Sequence, residues 1–499
     1  MSEANGTGIE RVPTGIDGFD TILGGGFLKG GLYIVQGTPG TGKTTLANQI
    51  CFNHVAAGGR ALYATLLAEY HGRMIQHLSG MSFFDMSRIP DLFTYINGLG
   101  TLREDGYPGL RDLLRREITT RKATILVLDG FATVQRRAPQ EQDFNEFVHD
   151  LQAIATATDC TMFLLSSAER VKETPEYTIV DGIVELSDRT VGWSSESTLQ
   201  VVKLRGTGFL RGRHAFRITR DGLVIYPRIE ALLAEPSRTD LGAALKRIPS
   251  GLGRLDAMLG GGLPEASTTM VMGPTGTGKT TLGLQFLSCC RDDEPGLLMG
   301  FSETPARLAA KAGMVCRPLC GLLDTGAVEI LWQPPTGGIL DAYGQRLLEN
   351  VRRRGVRRLF IDGLGAFQGA AADPVRMGHY LTALTNELRA LGVSTVYTVE
   401  APDLFHSHVR VPNNDVSSLI SDNLILLRYV ESKSRHRRLI SVLKVRDSDF
   451  DPSFHEYVTT AEGLMIEEVF DLSGADIPRT SDRQAGASAD GGLSSAGGG

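Results

Sequence analysis

One eight-residue pattern occurs twice in this chain, and it constrains the fold of each half. It runs Gly37-Thr38-Pro39-Gly40-Thr41-Gly42-Lys43-Thr44 and again Gly273-Pro274-Thr275-Gly276-Thr277-Gly278-Lys279-Thr280, each followed by a second threonine, Thr45 or Thr281. Glycines at these spacings let the backbone curl so that successive N–H groups converge on phosphate oxygens. The lysine brings a positive charge to the outer phosphates, and the hydroxyl of Thr44 or Thr280 is an oxygen ligand suited to Mg²⁺. The pattern has meaning only between a strand and a helix. The apolar runs Leu32 to Gln36 and Thr269 to Met272 lead in. Helical stretches, Thr44 to Phe52 and Thr280 to Cys289, lead out and point their positive dipole ends at the same anion. Two matches in that context exclude a chance Gly-rich turn.

The loops mark a longer internal repeat. Arg11-Val12-Pro13-Thr14-Gly15 answers to Arg247-Ile248-Pro249-Ser250-Gly251, and Leu23-Gly24-Gly25-Gly26 to Leu259-Gly260-Gly261-Gly262. A chain of 499 residues is too long for one compact core and suits two domains. We place a flexible N-terminus at 1–8, a first domain at 9–228, a linker at 229–246, a second domain at 247–470 and a disordered Gly/Ser/Ala-rich tail at 471–499. Strand signals at 60–66, 123–129 and 161–167 alternate with helical signals at 110–120 and 144–157, and the second half follows with strands at 295–301, 358–362 and 394–399. That order predicts an α/β fold with a mostly parallel sheet flanked by helices. The runs 181–186, 198–204, 213–219 and 222–226, and later 423–429 and 439–444, read as strands extending each sheet in antiparallel fashion.

Composition removes several function classes. A net charge of −6 gives no global drive toward nucleic acid, and no apolar run is long enough to span a membrane. The absence of a basic-then-apolar leader pattern points to the cytoplasm. The six cysteines form no Cys-x-x-Cys pair and no zinc spacing, so Cys51, Cys289 and Cys290 read as core thiols.

Further chemistry is repeated. Asp129 and Asp362 each end an apolar strand before a glycine, where a carboxylate can hold Mg²⁺ beside the phosphate loop. Glu69 and Glu303 lie at the end of the second strand signal of each copy and are candidates to orient or deprotonate a water. Lys203-Leu204-Arg205 and Lys444-Val445-Arg446 recur in the added strands, and residues two apart on a strand face the same side. They read either as edge charges that keep the sheet soluble or as a finger that stabilises phosphoryl charge in a neighbouring subunit.

The doubled phosphate loops, the repeated openings, the Leu-Gly-Gly-Gly turns and the Lys-Leu/Val-Arg strands together resemble the KaiC family of bacteria and archaea. The resemblance runs from near residue 8 to near residue 467, which leaves only the tail outside. It implies two tandem RecA-like P-loop domains, ATP and Mg²⁺ as cofactors, and nucleotide bound between subunits of a homohexameric double ring. It implies ATP hydrolysis, a signalling role with room for a protein partner, and serine/threonine autokinase activity in the second domain. The phosphate loops, Asp129, Asp362, Lys203, Arg205, Lys444 and Arg446 match the family pattern. The family has adjacent glutamates where this chain has Ser302-Glu303, and Leu67-Ala68-Glu69 matches only with a one-residue shift. The stretch 415–422 resembles the phosphorylated segment: Ser418 falls on the acceptor serine, Ser417 is its neighbour, and Leu419 replaces the acceptor threonine. A two-site cycle is thereby excluded, and a single-site one stays open.

Two other readings compete. A RecA-type DNA-binding ATPase of recombination or repair needs basic channel loops. Two Arg-rich runs exist, 352–358 and 433–438, the first expected at an outer helix end and the second in a hairpin between edge strands. Neither is interleaved with aromatics. The other reading is an ATP-gated scaffold with little turnover, which the altered glutamates favour.

Overall fold

The computed structural model describes residues 10–67, 71–131, 141–166, 176–235, 237, 246–334, 338–371, 373–401, 420–432, 435–446, 448–460 and 463–470. The expected flexible N-terminus and tail, half of the linker, Glu69, Ser417 and Ser418 lie outside the described residues. The chain divides into two compact units, Met1–Glu235 with Gly337–Gln345, and Pro236–Thr336 with Arg346–Gly499.

Each unit is built on a nine-stranded sheet, and the two sheets share one strand order. In the first the order is Phe93–Asn97, Ala61–Thr65, Ile125–Asp129, Thr161–Ser166, Leu32–Gln36, Gly182–Val191, Ser194–Leu204, Arg213–Thr219, Gly222–Tyr226. In the second it is Val328–Trp332, Gly296–Gly300, Arg358–Asp362, Ser394–Glu400, Thr268–Gly273, Asn423–Ser432, Arg435–Val445, His455–Thr460, Gly463–Val469. The phosphate-loop strand is central in both, and the acid-bearing strand stands one strand away from it. These are tandem RecA-like α/β domains with mostly parallel sheets.

Two sequence expectations are corrected. Gly182–Val191 and Asn423–Ser432 pair in parallel with the phosphate-loop strands, so the antiparallel extension begins one strand later. The two edge strands, Phe93–Asn97 and Val328–Trp332, carry no sequence signal strong enough to stand out, being short and only partly buried. Around 433–438 the flanking strands are not edge strands: Arg435–Val445 pairs with Asn423–Ser432 on one side and, at Leu439 and Ile440, with His455–Thr460 on the other.

Apolar runs form these strands because both sheet faces are covered. In the first unit Tyr33, Val35, Tyr63, Val127 and Phe163 enter one core, and their neighbours Leu32, Ile34, Leu62, Leu126 and Leu164 enter the other. The helix Lys43–Ala56 packs Leu46, Ile50 and Phe52 on the first face. The helices Gly106–Arg121 and Glu141–Thr158 pack Leu110, Leu114, Phe147 and Leu151 on the second. Each such fully buried Leu or Phe contributes about 1.5–3 kcal/mol. Cys51 and Cys160 are buried in these cores and Cys290 in the core of the second unit, where burial pushes its thiol up to about 12.

The repeated openings are structural clasps. Arg11 donates to Leu23 O at 3.2 Å and Gly26 O at 3.0 Å, and also reaches Thr207 just past the Lys-x-Arg strand. Arg247 does the same with Leu259 O at 2.9 Å, Gly262 O at 2.7 Å and Ser448. Asp20 accepts Thr14 N–H at 2.7 Å, and Asp256 accepts Ser250 N–H at 2.8 Å. These bonds fix the turn before each phosphate-loop strand.

Candidate functional site

Each phosphate loop follows its strand so closely that only glycine fits at the joint. A Cβ on Gly37 would lie 2.3 Å from Leu186 O, and one on Gly273 would lie 2.4 Å from Leu427 O. The loop then turns into the helix through Gly42 and Gly278, at φ 93° and 89°, in the left-handed region. Lys43 Nζ bonds Gly37 O at 2.7 Å and Thr38 O at 2.8 Å; Lys279 Nζ bonds Gly273 O at 2.7 Å and Pro274 O at 2.8 Å. Burial lowers both lysine pKa values, opposed by Asp129 at the first and by Glu400 and Asp362 at the second. The loops rest on the added strands: Tyr457 donates to Thr277 O, and Gln285 accepts from Leu464 N–H at 3.0 Å. At the first loop Gln49 accepts from Leu223 N–H at 2.8 Å.

The acids that end the next strand but one stand beside the loop threonines. Thr280 donates to Asp362 Oδ2 at 2.9 Å, and Thr398 donates to Asp362 Oδ1 at 2.9 Å. Thr44 is 3.4 Å from Asp129 Oδ2, which also accepts Tyr63 OH at 2.7 Å. Burial, with Asp129 adding to it, raises the Tyr63 pKa far above its ordinary value, so the phenol keeps its proton. A hydroxyl and a carboxylate oxygen in contact form a donor set suited to Mg²⁺.

Around the second loop a cavity of about 730 Å³ is lined by Lys279, Thr280, Asp362, Glu303, Lys311 and Glu400, among others. The sequence reading missed three of these neighbours. Thr398 and Glu400 end the strand between the acid and the phosphate loop, and Thr275 of the loop donates to Glu400. Lys311 lies on the helix Pro305–Val315 and bonds Glu303 at 2.6 Å. The position of Thr398 and Glu400 at a strand end beside the loop strand was the usable signal.

Register shows how the glutamates compare. Gly300 pairs with Asp362 and Thr65 with Asp129. Counting three residues onward reaches Glu303 in one copy and Ala68 in the other, which places Glu69 one position late.

The Lys-x-Arg pairs lie at the other end of the sheet. Lys203 bonds Val180 O at 2.7 Å, and Arg205 bonds Thr178 O and Ile179 O. Next to them Asp181 accepts Leu32 N–H, at the start of the phosphate-loop strand. Lys444 bonds Ser421 O at 2.8 Å, and Arg446 pairs with Asp422, which accepts Thr268 N–H. A phosphate-loop strand of 5 residues in the first unit and 6 in the second, about 16–20 Å long, separates each pair from the phosphate loop of its own unit. The structure therefore does not bring them into their own site.

The Arg-rich runs have partners. Arg352 pairs with Glu387, Arg354 with Glu329, and Arg437 with Glu456. No described helix is long and apolar enough to cross a membrane.

The fold and the paired loop–acid geometry define a tandem P-loop ATPase of the RecA-like class. The family model described as "ATPase: KaiC" matches residues 12–230 and 248–469. A circadian clock oscillator protein KaiC of Nostoc sp. is 27% identical over 486 residues, 94% of this chain and 91% of the relative. That of Parathermosynechococcus lividus is 26% identical over 478 residues, 93% of this chain and 86% of the relative. KaiC 1 of Synechocystis sp. is 26% identical over 479 residues, 93% and 90%. The chain belongs to the KaiC ATPase family.

Proposed function

We propose that the chain is a cytoplasmic signalling ATPase that binds ATP with Mg²⁺ at both phosphate loops, between subunits of a homohexameric double ring. The observation that carries ATP chemistry is the doubled contact of loop threonine with strand-end acid, Thr44 with Asp129 and Thr280 with Asp362. Lys43 and Lys279 bind the outer phosphates, while these threonines and acids hold the cation, whose chemistry is to offset phosphate charge. Glu303 is the water-orienting acid of the second site. The separation of Lys203, Arg205, Lys444 and Arg446 from their own loops supports the placement of nucleotide between subunits. A lysine and arginine that cannot reach their own phosphate can serve the next copy, and a ring supplies that copy.

The second domain also carries serine autokinase activity in this reading, with Ser418, or its neighbour Ser417, as the acceptor. The support is the resemblance of 415–422 to the family's phosphorylated segment, whose last two residues, Ser421 and Asp422, are held by Lys444 and Arg446. A second reading, an ATP-gated scaffold, is favoured by Ala68 in the first copy and by the Lys311 contact to Glu303 in the second.

The test is a γ-labelled ATP assay with Mg²⁺ on the full chain, following released phosphate and protein-bound label together. Label that disappears in Lys279→Ala and in Ser418→Ala supports a second-domain autokinase. Phosphate release without label removes the kinase and keeps the ATPase. If neither appears and ATP still drives assembly, the scaffold reading replaces both.

A further inference from the structure

Lys311 stands where no motif calls for a lysine. It bonds Glu303 Oε1 at 2.6 Å across a sequence separation of 8 residues. The other oxygen, Glu303 Oε2, is buried without a hydrogen-bond partner. In this arrangement one oxygen is held by an ammonium and the other is closed to solvent, so the carboxylate is not set to orient a water. Lys311 and Glu303 nevertheless line the same cavity as Lys279, Thr280 and Asp362.

A lysine suits exchange between partners. Its ammonium is a compact charge on a flexible stem, without the rigid fork that fixes an arginine to one carboxylate. A terminal phosphate carries more negative charge than a carboxylate and offers more acceptor oxygens. Only a ligand with different affinity for the two arrangements can shift one to the other, and a nucleotide with a third phosphate meets that condition where a diphosphate does not.

We propose that Lys311 is a terminal-phosphate sensor of the second site. It holds Glu303 until the γ-phosphate of bound ATP takes its ammonium, and this transfer frees the carboxylate to orient water. The proposal rests on the reading of this cavity as an ATP site. It is confined to the second domain, because Ala68 stands at the Glu303 position in the first.

The test uses the full chain with Lys43→Ala, so that binding reports the second loop, and Trp193→Phe. The chain has 2 tryptophans, so Trp332 then remains alone. Trp332 donates its indole N–H to Phe301 O at 3.1 Å, close before Glu303, so its emission reports on this segment. The probes are a non-hydrolysable ATP analogue and ADP, each with Mg²⁺. The analogue is expected to shift the emission and ADP to leave it unchanged. Lys311→Met should abolish the shift and cut the preference for the analogue over ADP about tenfold, with ADP affinity kept. Lys311→Arg retains the charge, but its fork grips one carboxylate, so it too should lose much of the shift and of the preference. With a side chain 31% exposed, either replacement leaves the core intact. An unchanged preference in Lys311→Met, or an equal loss for both nucleotides, overturns the sensor and leaves the ATP site standing. A parent that binds neither nucleotide overturns the site reading and the sensor with it.

Discussion

At the second phosphate loop Asp362 is held by two threonines, Thr280 and Thr398, each at 2.9 Å. At the first loop Thr44 is at 3.4 Å from Asp129, and a buried tyrosine, Tyr63, donates to the same carboxylate oxygen at 2.7 Å. The loops themselves are near copies, down to the lysine contacts with the two carbonyls at the start of each loop. Duplication has thus kept the phosphate cradle, and the acids around it have diverged. In the second site a glutamate faces a lysine; in the first, register puts an alanine in its place. A cradle binds phosphate through backbone N–H groups and tolerates little change. In the proposed function the surrounding acids set turnover, and each copy can adjust them separately.

The largest effect should come from the cradle lysines. Lys279→Ala should lower phosphate release from the whole chain about 100-fold if the second site does most of the turnover, because a charged bond to the outer phosphates is lost in a partly desolvated place. Lys43→Ala should lower it far less. Steady-state phosphate release in the two variants checks this, and the reverse order would transfer the hydrolytic work to the first site.

Next comes Asp422, which ties the start of the second phosphate-loop strand to Arg389 at 2.8 Å and Arg446 at 3.3 Å. Burial alone would raise its pKa, but the Thr268 N–H and the two guanidiniums outweigh that and hold it below the ordinary carboxylate value. A carboxyl with a depressed folded pKa stabilises the fold fully above the unfolded value of about 3.9. That stabilisation is lost as pH falls through the depressed value. Asp422→Asn should cost about 1–3 kcal/mol at neutral pH and flatten the acid limb of stability below about pH 4. Denaturant midpoints of the two proteins across pH test both parts.

A smaller effect follows from Thr398. Its hydroxyl orients Asp362 without belonging to the phosphate loop. Thr398→Val should raise the Mg²⁺ concentration needed for half-maximal nucleotide binding at the second site by about tenfold, the usual cost of removing a partner behind a ligand. Nucleotide titrations at fixed Mg²⁺ steps in a Lys43→Ala background measure it.

How much of this was legible in the sequence depends on whether a feature repeats. The phosphate loops, Asp129, Asp362 and the parallel core were readable because a turn, a lysine and an apolar strand must occur together to bind phosphate. The direction of Gly182–Val191 was not readable, since a strand buried on both faces looks the same whether its neighbour runs parallel or antiparallel. The edge strand Phe93–Asn97 was lost because edge position weakens its apolar pattern. Thr398, Glu400 and Lys311 were missed for another reason. Thr398 and Glu400 act through partners 36 and 125 residues away and Lys311 through one 8 residues away, and none repeats in the other copy as a motif would. The Lys-x-Arg pairs did repeat, yet their distance from their own loops is a property of the sheet register alone.

Tyr63 gives the finest discrimination between the two copies. It is two residues before Thr65 on the strand that pairs with Asp129, and the same register position in the second unit is Leu298. A phenol there is inserted into the first core and donates a hydrogen bond to Asp129. A leucine leaves Asp362 to the two threonines. Tyr63→Phe should therefore cost the first unit about 1 kcal/mol, the net value of one hydrogen bond to a partly buried carboxylate, with little loss of packing. It should also leave Asp129 freer to meet Thr44 and a cation, so Mg²⁺-dependent nucleotide binding at the first loop should hold or improve. A denaturant midpoint together with a nucleotide titration in a Lys279→Ala background separates the two effects. If binding falls along with stability, Tyr63 is part of the first site and the contrast drawn between the copies is wrong at this residue.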